Sequence, residues 1–167
     1  MTIRKFAGLA FAATMITAPA AVFAATKAPK MPVVVNAPPA GKGQVVFFRP
    51  GGAGTAIRCT IRENGKMIGR VGNGKYFILT AEPGPHKYTT KTEATDELNV
   101  EVEADETTYV KCKIAAGLIA GRPNLSPGDK AAFDAKSAKL KPQDMTKLAE
   151  DIAEDEKELA AKATASK

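Results

Sequence analysis

The chain has no tryptophan, few aromatic residues and a single histidine, and each shortage argues against a class of function. Single-stranded nucleic acid is bound by aromatic side chains along a basic groove, so a nucleic-acid partner is not expected. A zinc site needs three or four ligands with compatible spacing, and none surrounds His86. No G-x-S-x-G motif is present either. The sequence therefore predicts a protein that is not an enzyme and has no cofactor or metal.

Long apolar runs are also missing, apart from one near the N-terminus. Arg4 and Lys5 precede an apolar stretch that ends at Pro19, and small residues follow at the positions a signal peptidase reads. The stretch is shorter than the about 20 apolar residues that cross a bilayer. We therefore predict a signal peptide over residues 1–24, cut after Ala24, with no transmembrane helix in the mature chain. The expected location is periplasmic or secreted.

From Gln44 onward the apolar residues alternate with period two, which is typical of β-strands. Asn64-Gly65 is the strongest hairpin signal, because both residues tolerate the positive φ of a type I′ turn. No long helical pattern interrupts the strands, so a parallel α/β sheet is not expected. The pattern predicts an antiparallel β-sandwich of about seven strands: QVVFFR, AIRCTIRE, KMIGRV, KYFILT, HKYTTKT, ELNVEVE and TTYVKCKI.

Helical patterns follow the strands. Ser126 is a possible N-cap with Pro127 at the first helical position, and Pro142 can start a second helix. The second helix carries an apolar side that includes Leu148 and Ile152. It is either a frayed amphipathic tail or a helix that contacts a partner. The predicted organisation is a signal peptide (1–24), a Pro/Ala-rich linker (25–43), a β-sandwich domain (44–116), a loop with a short helix (117–141) and an amphipathic helical tail (142–167).

Charge is unevenly distributed along the chain. Residues 41–92 hold nine Lys/Arg and two Asp/Glu, whereas residues 93–129 hold three and eight. Strands of one sheet that neutralise each other would explain this, and a face for an anionic ligand is the alternative. On the first interpretation we expect the guanidinium groups of Arg58 and Arg62 to face Glu101 or Glu103 across exposed sheet surface. The same two carboxylates are the only candidates for a hydrolase.

Three further segments are candidates for contacts. GRVGNGK fits the start of a phosphate-binding loop but is followed by Tyr76 and a strand, so nucleotide binding is not expected. Arg49 opens a glycine-rich loop, where it could clamp an anion or pair with an acid of a neighbouring strand. Leu118 and Ile119 lie between glycines and could either contact a partner or membrane surface or plug one end of the sandwich.

The two cysteines fall on the apolar sides of their strands. Cys59 alternates with Ile57 and Ile61, and Cys112 alternates with Val110 and Ile114. In an exported sandwich, where disulfides persist, this parity predicts a bridge through the core. Two buried free thiols are the alternative.

The segment GKYFILTAEPGPHKYTT, together with TTYVKCKI, resembles a bacterial exported family of unknown function, DUF2846. The resemblance covers about Gly43 to Lys113. It implies an immunoglobulin-like or prealbumin-like sandwich, and it implies no catalytic residues because the family has no established activity. The expected function is a non-catalytic module that binds a protein, a glycan or a surface of the cell envelope. A structural part of an envelope assembly and, less favoured, a hydrolase using Glu101 and Glu103 are the alternatives.

Overall fold

The computed structural model describes residues 30–52, 54–92, 94–117 and 121–165, and this part of the chain forms two packed β-sheets followed by helices. The predicted mainly β sandwich is therefore confirmed, with nine strands rather than about seven. The elements in chain order are β1 (Gly43–Arg49), β2 (Cys59–Glu63), β3 (Lys66–Val71), β4 (Lys75–Ala81), β5 (Gly84–Lys91), β6 (Thr95–Val102), β7 (Thr107–Ala115), β8 (Arg122–Gly128), α1 (Lys130–Ser137), β9 (Lys141–Pro142) and α2 (Met145–Ala165).

The larger sheet has the strand order β8-β7-β1-β4-β9, and the smaller has the order β3-β2-β5-β6. Most pairs are antiparallel, as predicted. Two pairs are not, because β1 runs parallel to β7 and β4 runs parallel to β9. The larger sheet is therefore mixed, with antiparallel and parallel pairs.

Strand β1 is buried on both faces, since all seven of its residues are buried. Val45 and Phe47 point into the main core between the sheets, where Phe47 stacks on Phe77 at a ring-centroid distance of 5.0 Å. Val46 and Phe48 point the other way, into a second core on the outer face of the larger sheet. A strand with two buried faces has continuous apolar character, which explains the sequence VVFF.

The second core is covered by α1 and by the segment before β1. Phe133 of α1 is fully buried and meets the ring of Phe48 edge-on at 5.3 Å. Val33 and Val35 pack against the same cluster. Gln44 donates from Nε2 to the Asn36 carbonyl at 2.6 Å, which ties this segment to the sheet. The described part of the predicted 25–43 linker is thus docked on the domain.

Close approach between the sheets requires a glycine at residue 69. A Cβ added to Gly69 would lie 2.2 Å from Cζ of Phe77, so even alanine there would displace the ring.

The predicted type I′ hairpin between β2 and β3 is confirmed, because Asn64 and Gly65 have φ angles of 51° and 80°.

The C-terminal elements begin later than predicted. Ser126 and Pro127 belong to β8 rather than to a helix start, and β8 tolerates its prolines because it is an edge strand. Helix α1 begins at Lys130, where Asp129 caps it by accepting a hydrogen bond from the Ala132 amide at 2.6 Å. Pro142 lies in β9, and Asp144 accepts from the Lys147 amide at the start of α2. Within the described ranges, no helix has the length and apolar character needed to cross a membrane.

The predicted disulfide is confirmed. Cys59 of β2 and Cys112 of β7 are bonded, with their Cα atoms 6.6 Å apart, so the bridge joins the two sheets through the main core. Both residues are buried among apolar side chains. The two cysteines are 53 positions apart in the sequence. The bridge therefore closes a long loop in the unfolded chain and lowers the conformational entropy of the segment that forms most of the strands.

Removing this bridge tests the contribution of the cross-link to stability. We expect Cys59→Ala/Cys112→Ala to lower the free energy of unfolding by ~4 kcal/mol, because the unfolded chain regains the conformational entropy that the cross-link removes. Urea denaturation of the oxidised protein and the double variant measures the difference. Mass spectrometry of the unreduced exported protein is the control, and two alkylatable thiols there would contradict the bridge.

Candidate ligand-binding site

Arg49 holds the glycine-rich loop that follows β1. Only 2% of the residue is exposed, and its guanidinium donates to the carbonyls of Gly54, at 2.7 Å, and of Ile57. Burial lowers the pKa of this group below its ordinary value. Arg49 therefore positions the backbone of this loop, and its predicted contact with a ligand stays a prediction.

The apolar candidates have different outcomes. Leu118 and Ile119 lie outside the described residues. Leu148 is buried on α2, and Ile152 is half-buried one turn later, on a helix that contacts β3 of its own domain. Leu148 is thus part of the fold, and it is not available to a partner.

Helix α2 is held on the smaller sheet by ion pairs. Arg62 Nη1 donates to Asp155 Oδ2 at 2.6 Å, and Arg62 Nη2 donates to Asp155 Oδ1. Arg70 Nη1 lies 3.1 Å from Asp151 Oδ2, and Arg58 Nη1 lies 3.8 Å from the same oxygen. We call this set of three arginines and two aspartates the helix seam. Hydrogen bonds from Arg62 hold the pKa of Asp155 below its usual value.

The helix seam overturns the predicted charge pairing. Arg58 and Arg62 meet acids of α2, whereas Glu101 and Glu103 are exposed at the far edge of the same sheet. Strand β6, which carries Glu101, pairs with β5, and β5 separates it from β2. The alternation of side chains along a strand predicts which face of the sheet a residue lies on. It does not predict which acidic residue covers that face.

His86 lies beside a carboxylate. Nδ1 of His86 is 2.6 Å from Glu63 Oε1, and Nε2 is 2.8 Å from the Glu82 carbonyl. Partial burial alone would lower the pKa of the imidazole, but these hydrogen bonds outweigh it and leave the pKa raised. Among the described residues no group of three or more His, Cys, Asp or Glu could hold a metal ion. His86 is therefore an anchored residue of β5.

A pocket of about 320 Å³ opens between the loop before β2, the β3–β4 turn and the start of α2. We call it the basic pocket, and its lining includes Thr55, Arg58, Lys75, Gln143, Asp144 and Lys147. Three of these side chains are cationic and one is a carboxylate. Asp151, behind the pocket, lies 3.6 Å from Lys147 and 3.8 Å from Arg58, and so orients both. Lys75 has no ion-pair partner in the part of the chain that the structure describes.

Gln143 forms one wall of the basic pocket. It is 7% exposed, and within the described ranges no protein group hydrogen-bonds to its Oε1. A buried acceptor without a partner costs about 1–3 kcal/mol. Gly72 leaves room beside it, because a Cβ on Gly72 would lie 3.8 Å from Oε1. The hydroxyls of Tyr88 and Thr90 are also unpaired, but they are fully buried away from the pocket lining.

The pattern in sequence gives only part of this site. Arg58 and Lys75 belong to the basic segment that was interpreted as a possible anionic-ligand face. Gln143 and Lys147 carry no motif, because they reach the pocket only when β9 pairs with β4 and α2 packs on β3. No sequence signal separates such residues from ordinary surface residues.

Two packed sheets joined by a buried disulfide, with a basic pocket beside the β3–β4 turn, define a β-sandwich protein with a polar cleft. The family model described as a protein of unknown function, DUF2846, matches residues 39–122, about half of the chain. The chain belongs to this family, which confirms the resemblance. No curated protein matches the chain, and no solved structure does.

The helix seam predicts a measurable coupling energy. We expect Arg62→Gln and Asp155→Asn each to lower the free energy of unfolding by about 1–2 kcal/mol, because both side chains are mostly buried and doubly bonded. The double variant should lose less than the sum. Urea denaturation measures all three, with Asp134→Asn in the exposed Lys130 pair of α1 as the control.

The pH dependence of the seam has a definite sign. The pKa of Asp155 is lower in the folded protein than in the unfolded chain. Its contribution to stability is therefore complete above the ordinary aspartate pKa of about 3.9, and it is lost as the pH falls through the pKa of the folded protein. Additive losses in the double variant, or a coupling that grows as the pH falls, would contradict the assignment.

His86 predicts the opposite pH dependence. Its folded pKa is raised, so its contribution is complete below the ordinary histidine pKa of about 6.5 and disappears as the pH rises through the folded value. We expect the stability difference between the protein and His86→Gln to shrink over that rise. Unfolding measured at a series of pH values tests this, with an NMR titration of the imidazole as an independent readout. A difference that widens with pH would sink the interpretation.

Proposed function

We propose that the protein is an exported, non-catalytic binding module of the cell envelope that takes an anionic ligand in its basic pocket. The observation that carries this proposal is the pocket itself, which gathers Arg58, Lys75 and Lys147 against one lining carboxylate. Clefts lined by one sign of charge concentrate ligands of the other sign.

Export is supported by two independent features. The first is the N-terminal pattern of a basic head, an apolar stretch and small residues before Ala24. The second is the Cys59–Cys112 disulfide, since such bonds persist in oxidising compartments and are rare in the cytosol. An intact mass of the exported product that begins at Ala25 would support the cleavage site, and an uncut product would contradict it.

The non-catalytic character is supported by the positions of the only carboxylates proposed for hydrolysis. Glu101 and Glu103 are both exposed, and neither lines the basic pocket. A glycosidase needs two carboxyl groups on either side of a bound sugar.

Retention on an anionic polysaccharide tests the proposed function. We expect the exported protein to be retained on an immobilised polyuronate at low salt and not on neutral dextran, with retention falling as salt screens the contact. Lys75→Glu should reduce retention strongly. Lys66→Glu, the same charge change on an exposed residue at the start of β3, is the matched control and should bind like the unmodified protein.

Two results would contradict the proposal. Equal losses in the two variants would mean that the positive charge of the whole protein, rather than the pocket, causes retention. No retention of the unmodified protein at low salt would remove the anionic ligand altogether.

A further inference from the structure

A second pocket, of about 190 Å³, adjoins the same β3–β4 turn that borders the basic pocket. We call it the lysine pocket, and the described residues that line it are Pro50, Gly51, Gly74, Lys136, Lys139 and Leu140. Two of these side chains are cations, and none is a carboxylate. The lysine pocket therefore adds positive charge to that of the basic pocket.

The two pockets meet at a single glycine of the turn. Gly74 lines the lysine pocket, and its two neighbours in the chain, Asn73 and Lys75, line the basic pocket. Consecutive Cα atoms are about 3.8 Å apart, so the two pockets lie next to each other along this turn. Gly74 has no side chain to stand between them, and its φ of 65° favours glycine. One chain-like ligand can therefore enter both pockets.

The lysines around this turn have few acids to pair with. Four of them form no ion pair with any described residue: Lys75, Lys136, Lys139 and Lys141. Lys75 and Lys141 are also register partners in the parallel pair of β4 with β9, so like charges occupy neighbouring strands at the same level. Such an arrangement opposes folding, and local conflicts of this kind are typical of functional sites. An anion bound beside these lysines would relieve their repulsion.

The distribution of the cations indicates the kind of anion. A single small anion in one pocket leaves the lysines of the other pocket without a counter-charge. A flat lipid surface does not enter two recesses, and membrane binding at an interface depends on buried apolar area. Leu140 in the lysine pocket is only 7% exposed, and Met145, which is 59% exposed, is a single apolar side chain beside the basic pocket. A protein partner is also disfavoured, because protein interfaces are enriched in aromatic residues and the described lining of these two pockets has none.

We infer that the two pockets together bind a linear acidic polysaccharide, with one carboxylate at Lys75 in the basic pocket and a later one at Lys136 and Lys139 in the lysine pocket. This assignment rests on the proposed function and names its ligand class. The polar side chains of Thr55 and Asn73 suit a ligand that is hydrophilic along its whole length. Two units of one chain bind more tightly than either unit alone, because the second contact forms at a high effective concentration.

Calorimetric titration of the full-length exported product, with its disulfide intact and at low salt, tests the two contacts separately. The probes are galacturonic acid and its linear hexasaccharide. We expect the hexasaccharide to bind about a hundredfold more tightly than galacturonic acid, which is more than the number of its units explains. Lys75→Gln should weaken both probes by about tenfold, because both place a carboxylate there.

A double variant addresses the lysine pocket. We expect Lys136→Gln/Lys139→Gln to weaken the hexasaccharide by about tenfold and to leave galacturonic acid unchanged, because only the longer chain reaches these lysines. Both side chains are exposed, so the change leaves the packing of α1 intact. Lys66→Gln/Lys91→Gln removes the same charge from exposed residues of β3 and β5, and as the matched control it should leave both affinities unchanged.

The outcomes separate this inference from the proposed function. If Lys75→Gln weakens galacturonic acid while the hexasaccharide gains nothing from its length, the second contact is overturned and the proposed function stands. A hexasaccharide affinity that the Lys136/Lys139 double variant leaves unchanged, or lowers no more than the control does, overturns it as well. If galacturonic acid binds too weakly to measure, the inference is supported when Lys75→Gln and the double variant each weaken the hexasaccharide more than the control.

Two further results would point elsewhere. If neither uronate binds and retention on the polyuronate is also absent, the proposed function falls together with this inference. If the protein binds phosphatidylglycerol vesicles through Lys136 and Lys139 but does not bind the hexasaccharide, a lipid surface replaces the polysaccharide and the inference is wrong.

Discussion

The burial of β1 on both faces is the constraint on which the rest of the structure depends. Apolar side chains alternate to the two sides of a strand, so a run such as VVFF forces the protein to build a core on each side. The smaller sheet covers one side, and the disulfide locks it there. The other side is covered by α1 and by the segment around Val33 and Val35. Helix α1 and the segment before β1 therefore bury the apolar surface that the central strand leaves on this side.

The same reasoning applies to the charged face of the smaller sheet. Arg58, Arg62 and Arg70 would form a bare cationic surface, and α2 supplies the acids that neutralise it. The pair of Arg62 and Asp155 is the strongest of the three, because both side chains are mostly buried and the geometry is bidentate. Packing α2 in this way also carries Lys147 to the rim of the basic pocket. The position of the basic pocket thus depends on the same packing of α2 that neutralises the arginines of the smaller sheet.

Features that depend on a few neighbouring residues could be predicted from the sequence, whereas strand pairing and ion-pair partners, which depend on distant residues, could not. Period-two alternation and the Asn64-Gly65 turn predicted the first seven strands, because each pattern is satisfied within a few residues. Face parity predicted the Cys59–Cys112 bridge, since both cysteines sit inward. The parallel pairing of β1 with β7 was missed because nothing local encodes strand direction. The partners of Arg58 and Arg62 were missed for a related reason, since several acidic segments could have covered that face.

The basic pocket joins two parts of the chain with different relationships to the family. Arg58, Gly72 and Lys75 lie within the matched residues 39–122, whereas Gln143, Asp144 and Lys147 lie beyond them. The short strand β9 makes the junction, because the Lys141 amide donates to the Gly74 carbonyl at 3.0 Å and the Gln143 amide donates to the Tyr76 carbonyl at 2.8 Å. These two bonds place the side chain of Gln143 against the β3–β4 turn. Membership of the family therefore does not by itself imply this pocket, and a chain with the sandwich but without β9 would lack the wall that Gln143 forms.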